Sequence, residues 1–120
     1  MARVVSVADD LMLASRVDAM LTAAGHQVVL ARSLQGSLAL DGAELIVADL
    51  EATSPEALVG LGVPVLGYYS HVDADTRQAA IDAGVDLVVP RSRMSRELPQ
   101  LVERLLAGAE PGRPSPDAFG

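Results

Sequence analysis

The chain has 120 residues, half of them hydrophobic, a formal net charge of −7 and no cysteine. A chain of this length makes one domain with a real core, and the apolar share excludes disorder for most of it. The lack of cysteine rules out disulfides, thiolate metal sites and a Cys nucleophile. The acidic balance argues against nucleic acid as the main partner, since phosphate contacts need a basic surface. All nine basic residues are arginine, so any mechanism that requires lysine is closed. No apolar run approaches the roughly 20 residues of a membrane span. The amino terminus enters a strand at once, without a signal-peptide pattern. A cytoplasmic location with no membrane contact is therefore expected.

Residues 4–8 read as a first strand, which ends at Asp9-Asp10. The next segment sets Leu13, Val17, Met20, Leu21 and Ala24 on one helical face, with Arg16 and Asp18 on the other. Asp9 or Asp10 can cap its start, and Gly25 stops it. A second strand covers residues 27–31. Ser33 then caps a short helix that carries Leu34 and Leu38 and ends at Asp41-Gly42. Residues 44–49 form the third strand, a short, nearly continuous apolar run that reads as a strand buried on both faces. Thr53-Ser54-Pro55-Glu56 starts a short helix with Leu58 and Leu61; its proline is in the first turn and its glutamate near the positive end of the dipole.

Residues 63–69 form the fourth strand, with Pro64 at the entrance, where a missing donor is tolerated. Ser70-His71-Val72 is its exit loop, and Asp73 caps a helix that runs to Ala83-Gly84. Residues 86–90 form the fifth strand. Ser95 is expected to cap the last helix, whose Leu98, Leu101, Val102 and Leu105 make a clean apolar stripe, with Pro99 in the first turn. Residues 1–107 make the domain; residues 108–120, with three prolines and no periodicity, read as a flexible tail.

Strands and helices alternate strictly through short loops. Right-handed crossovers then build a doubly wound parallel sheet between two helix layers. A Rossmann half-domain would want a glycine-rich turn after the first strand, which Ala8-Asp9-Asp10-Leu11 does not offer. A flavodoxin-like (βα)5 fold with strand order 2-1-3-4-5 is expected, with the third strand central. Ligand crevices in such sheets lie beyond the carboxyl ends of the strands. That rim collects Asp9 and Asp10, Asp49, then Tyr69, Ser70 and His71, and finally Arg91 and Ser92.

This set resembles the receiver domains of two-component response regulators over about residues 3–107. Those domains hold Mg²⁺ with an acidic pair after strand one, accept a phosphoryl group on an aspartate after strand three, and use a Ser/Thr after strand four and a lysine after strand five. The similarity runs without a gap from Pro64-Val65-Leu66 through Ala83-Gly84-Val85-Asp86 to Pro90-Arg91. By this resemblance Asp49 stands at the acceptor position and Asp9-Asp10 at the acidic pair, although an ungapped reading through the first helix puts Ala8-Asp9 there. Tyr69 falls on the Ser/Thr position with Ser70 one place later, and Arg91 on the lysine position. The chain resembles a divergent, pseudo-receiver member.

The departures matter chemically. Mg²⁺ wants a small octahedral set of oxygens, which Asp9 and Asp49 can still supply. Lysine is a compact point charge; arginine is a planar fork on a longer stem and does not substitute quietly. Arg91 is placed to lock Asp49 or Asp9 in a bidentate pair. Tyr69 is too bulky to follow a phosphoryl group inward.

Each residue also has a plainer role. Asp9 and Asp10 serve as helix caps, Asp49 as a strand-end carboxylate in a structural ion pair, and His71 as a solvated loop residue. His26 lies on the opposite rim, without a functional case. Arg91, Arg93 and Arg96 either solvate a loop or meet an anion or partner. Alternation through Tyr68-Tyr69 would bury one ring and leave the other near the rim for a partner. Nothing supports hydrolysis, hydride transfer or DNA binding, so no enzyme activity is expected.

The leading expectation is a stand-alone pseudo-receiver working by protein contacts, without normal aspartyl phosphorylation. By the resemblance, the contacts are made with a protein partner or a second copy through the face of the predicted fourth helix, fifth strand and fifth helix. The alternatives are a phosphorylatable single-domain regulator with Asp49 as Mg²⁺-dependent acceptor, and a small anionic-ligand sensor that uses Arg91, Ser92 and His71.

Overall fold

A computed structural model describes residues 2–32, 42–69 and 74–107. They form β1 (Arg3–Val7), α1 (Leu11–Ala23), β2 (Gln27–Ala31), β3 (Leu45–Asp49), α2 (Pro55–Val59), β4 (Val65–Tyr69), α3 (Ala74–Ala83), β5 (Leu87–Pro90) and α4 (Arg91–Leu106). The five strands make one all-parallel sheet in the order β2-β1-β3-β4-β5. The flavodoxin-like order expected from the sequence is the order observed, and the Rossmann alternative is excluded. The helix predicted after Ser33, the loop of Ser70 and His71, the Asp73 cap and the tail from residue 108 lie outside the described residues.

β3 owes its central place to its composition: Leu45, Ile46, Val47 and Ala48 are all buried. A side-chain period of two sends them alternately to two cores. Leu45 and Val47 join Val4, Leu66, Tyr68 and Val89 under α1 and α4, where Leu13, Val17, Leu21, Met94, Leu98, Leu101, Val102 and Leu105 complete one cluster. Ile46 and Ala48 join Val5, Val7, Val65 and Tyr69 on the other face, against Leu58 of α2 and Ala80 of α3. Each such side chain taken fully out of water contributes roughly 1.5–3 kcal/mol, so the two clusters fix the position of the sheet between its helices.

The helix ends follow local chemistry. Asp10, not Asp9, is the N-cap of α1, and Gly25 ends that helix at φ 94°. Ser54 caps α2 through the Ala57 amide, with Pro55 at its first position. Leu61 falls beyond α2 and is exposed. Asp86 lies just before β5, and its carboxylate accepts the Val65 amide at 2.8 Å, satisfying the first donor of β4.

Two expectations for the last helix are corrected. α4 begins at Arg91 with Pro90 at the cap position and no side-chain cap, so Ser95 is an interior residue. Pro99 is then well inside the helix rather than in its first turn. The buried stripe Met94, Leu98, Leu101, Val102 and Leu105 explains this, because packing of an apolar face outweighs one lost backbone bond. On the opposite rim His26 is buried, its Nδ1 accepting the Ala2 amide at 3.2 Å. No helix among the described residues is long and apolar enough to cross a membrane.

Candidate functional site

The carboxyl ends of β1, β3 and β5 bring Asp10, Asp49 and Arg91 to one rim. Asp10 follows β1 in an extended conformation, and its Oδ1 accepts the Met12 amide at 2.9 Å and the Leu13 amide at 3.3 Å. Its Oδ2 accepts Arg91 Nη2 at 3.0 Å. Both oxygens are thus engaged. The Leu13 amide first, then the Arg91 guanidinium, hold this carboxyl below its ordinary range. Asp9, one residue earlier, is exposed.

Arg91 pairs with Asp10 and not with Asp49 or Asp9, as the sequence had suggested. The reason is pre-organisation: the α1 cap fixes Asp10 beside the first turn of α4. The pair is also electrostatically useful there. α4 has no acidic residue in its first turn, and its first turns carry Arg91, Arg93 and Arg96 at the positive end of the dipole. Asp10 supplies the missing negative charge to both helix starts. Arg93 is paired along the helix with Glu97 at 3.5 Å, and Arg96 Nε donates to the Ser92 carbonyl at 3.3 Å. Ser92 itself is exposed.

Asp49 ends β3 and is half-buried. Its Oδ1 accepts the Glu51 amide at 2.9 Å, and its carbonyl accepts the Ala52 and Thr53 amides at 3.0 and 3.1 Å. Among the described residues, that one amide is all the carboxylate accepts. Burial raises the Asp49 pKa, as do the charges of Glu51 and Asp9, while the Glu51 amide and Arg91 oppose the rise. Asp49 is therefore a strand-end carboxylate that is incompletely stabilised as an anion.

The two tyrosines correct the sequence reading. Both are buried, so neither ring is left at the surface as a partner contact. Tyr69 packs in the cluster under α2 and α3, on the face away from Asp49. Tyr68 is the register partner of Asp49 on the neighbouring strand and shares its face. Its hydroxyl is buried and has no hydrogen-bond partner among the described residues. Burial raises the phenol's pKa, as do the charges of Asp49 and Asp10, while Arg91 opposes the rise. Sequence reasoning placed Tyr69, not Tyr68, in the site. Pairing Tyr68 with Asp49 in the parallel ladder is the signal that would have found it.

A metal at this rim was expected to use Asp9 and Asp49. Among the described residues no three Asp, Glu, His or Cys side chains stand together as a metal-holding group. Asp10, the remaining acid, is already committed to a helix cap and to Arg91. Asp9 and Asp49 are the carboxylates that would be left to hold an Mg²⁺, with waters completing its octahedron. What the geometry does provide is an open cleft of about 260 Å³ beside Asp10, Met12, Leu13, Arg16, Arg91 and Ser95.

No family model and no curated protein sequence matches the chain. Among solved structures, a response regulator from Thermotoga maritima superposes with a TM-score of 0.73 at 17% identity, over 90% of this chain and 99% of that one. The receiver domain of the Francisella response regulator 1452 gives 0.76 at 17% identity, over 89% and 98%. NtrX from Brucella abortus gives 0.78 at 21% identity over 90% of this chain; the match spans only 28% of NtrX. The chain has the fold of response-regulator receiver domains.

Proposed function

We propose that the chain is a receiver-type signalling module whose rim is held in a structural ion-pair network and which works through protein contacts rather than through normal aspartyl phosphorylation. The observation that carries this reading is the 3.0 Å bond from Arg91 Nη2 to Asp10. The side chain standing where the resembled family has its lysine reaches an acid, leaving the phosphoryl side of Asp49 without it. An arginine so anchored is a poor mobile counter-charge for a phosphoryl group. The departure at Tyr69 supports the same reading, since that ring is packed on the opposite face of the sheet. The surface for a partner, or for a second copy, is the face of α3, β5 and α4.

One feature favours a phosphorylatable Asp49: its carboxylate sits half-buried at the rim with one oxygen free of described donors. An amide NMR titration with Mg²⁺ and then beryllofluoride, run beside Asp49→Asn, separates the two. The proposal expects no shifts around Asp9, Asp49 and Ser70 at either step. Shifts that vanish in the variant overturn it and establish Asp49 as a working acceptor.

A further inference from the structure

The hydroxyl of Tyr68 takes no part in the ion pair between Asp10 and Arg91 at the rim. The residue is 1% exposed, and its oxygen is buried with nothing to bond among the described residues. An orphaned buried hydroxyl is expensive, because its water partners are lost without replacement. The ring lies on the face that also carries Asp49, and the two residues are register partners on adjacent strands. Parallel strands run about 4.8 Å apart, so the two side chains leave neighbouring positions on the same face. Asp49 in turn has one carboxylate oxygen free of described donors. Among the described residues an unused donor and an unused acceptor thus lie on one face of the sheet, one ladder step apart in register.

We propose that Tyr68 is a positioning residue for Asp49: its hydroxyl is an internal donor that closes on the free Asp49 oxygen and turns the carboxylate inward, away from any ligand or electrophile arriving at the rim. This rests on Asp49 being the rim's acceptor-position carboxylate. The closed pose satisfies a buried hydroxyl and a half-buried carboxylate at once. It is a hydrogen bond from a neutral hydroxyl to a carboxylate, among the stronger kinds. Arg91 already pairs with Asp10 nearby, so that acid does not add a free charge beside the closed pair. Tyr69 cannot do this, since it faces the other core.

Tyr68→Phe keeps the ring and its packing and removes only the oxygen. The first measurement is a double-mutant cycle on folding with Asp49→Ala. The latch predicts that Tyr68→Phe destabilises the wild-type background but is neutral or stabilising when Asp49 is absent. The difference is a shift of about tenfold in the folding equilibrium between backgrounds, the scale of a direct pair. Additive effects overturn the proposal. The second is the Asp49 side-chain carboxyl ¹³C resonance, which moves in Tyr68→Phe and stays in Tyr69→Phe if the latch exists; an unmoved resonance in both overturns it. Neither readout depends on phosphorylation. A wild-type response to beryllofluoride would sink the proposed function while leaving this test intact.

Discussion

Asp10 and Arg91, 81 positions apart in the chain, join the first turns of two helices: the carboxylate that caps α1 accepts Arg91 Nη2 at 3.0 Å. The pair brings a negative charge to two positive helix ends, one of which carries three arginines of its own. The folded Asp10 carboxyl is held below its ordinary value of 3.8 by the Leu13 amide first and by Arg91 next. A lowered carboxyl contributes stability above the unfolded value and loses it as pH falls through the folded one. Asp10→Ala is therefore expected to melt below wild type at pH 7, with the gap closing as pH falls below about 3.8. Asp10→Asn, which can still cap, should lose less. Thermal melts from pH 7 to pH 2.5 check this; a gap that does not depend on pH would remove the charge from the explanation. Added salt should weaken the Arg91 and helix-dipole contributions and leave the cap hydrogen bonds themselves largely in place.

Asp49 carries the opposite sign. Burial raises its folded pKa above 3.8, so its charge weakens the fold once pH rises past that value and through the raised one. Asp49→Asn removes the charge and keeps a carbonyl oxygen for the Glu51 amide. In a Tyr68→Phe background, where no hydroxyl can close on the carboxylate, Asp49→Asn should raise stability at pH 7 by roughly a few degrees in a domain of this size. The difference should vanish below the unfolded pKa, where the carboxyl is protonated in both states. Melting temperatures at pH 7 and pH 3 decide it; an Asn variant that is less stable at pH 7 would mean the carboxylate makes a bond worth more than its burial costs.

These two acids show which features of the chain are legible in its sequence. Fold and strand order were legible because five short apolar runs alternate with helical periods, and right-handed crossovers leave few topologies. Asp10 as a cap, Ser54-Pro55 as a helix start and Gly25 as a stop are local signals, and local signals survive folding. What failed was long-range or competitive. Ser95 resembles a cap, but the buried stripe from Met94 to Leu105 pulled the start of α4 back to Arg91. The partner of Arg91 depends on where α1 begins relative to α4, which no spacing within either helix encodes. Which tyrosine faces Asp49 depends on the β3–β4 register, and alternation alone fixes only that the two differ.

Gly67 tests the packing of β4 on the α2/α3 side. A Cβ built there would stand 2.8 to 3.0 Å from Leu50 Cδ2, Cδ1 and Cγ, and Leu50 is itself buried in that cluster. The leucine has little room to withdraw, so Gly67→Ala is expected to cost about 1–3 kcal/mol as overpacking. Leu50→Ala alone should cost roughly 2–3 kcal/mol, by lost burial and a cavity. Together they should cost less than their sum by about 1–2 kcal/mol, because the new methyl occupies the space that the leucine vacates. Urea denaturation of the two single variants and the double variant measures the coupling; strict additivity would mean that Leu50 relaxes elsewhere.

Pro99 sits inside α4, where it has no amide to offer the Ser95 carbonyl one turn earlier. In a helix interior proline is about 3 kcal/mol less favourable than alanine. Part of that cost is hidden here, because Leu98, Leu101 and Val102 hold the helix to the sheet whatever its local propensity. Pro99→Ala restores the missing bond and relieves the ring's clash with the preceding turn. A gain of about 1–2 kcal/mol is expected, seen as a rise of roughly 5–10 °C in Tm. Pro99→Gly should gain less, since glycine gives back about 1 kcal/mol in backbone entropy. Hydrogen exchange adds a local readout: the new amide at 99 should be protected, and the amides of the following turn should slow with it. If neither variant gains stability, α4 is bent around Pro99 to fit its core, and straightening the helix breaks contacts worth as much as the restored bond.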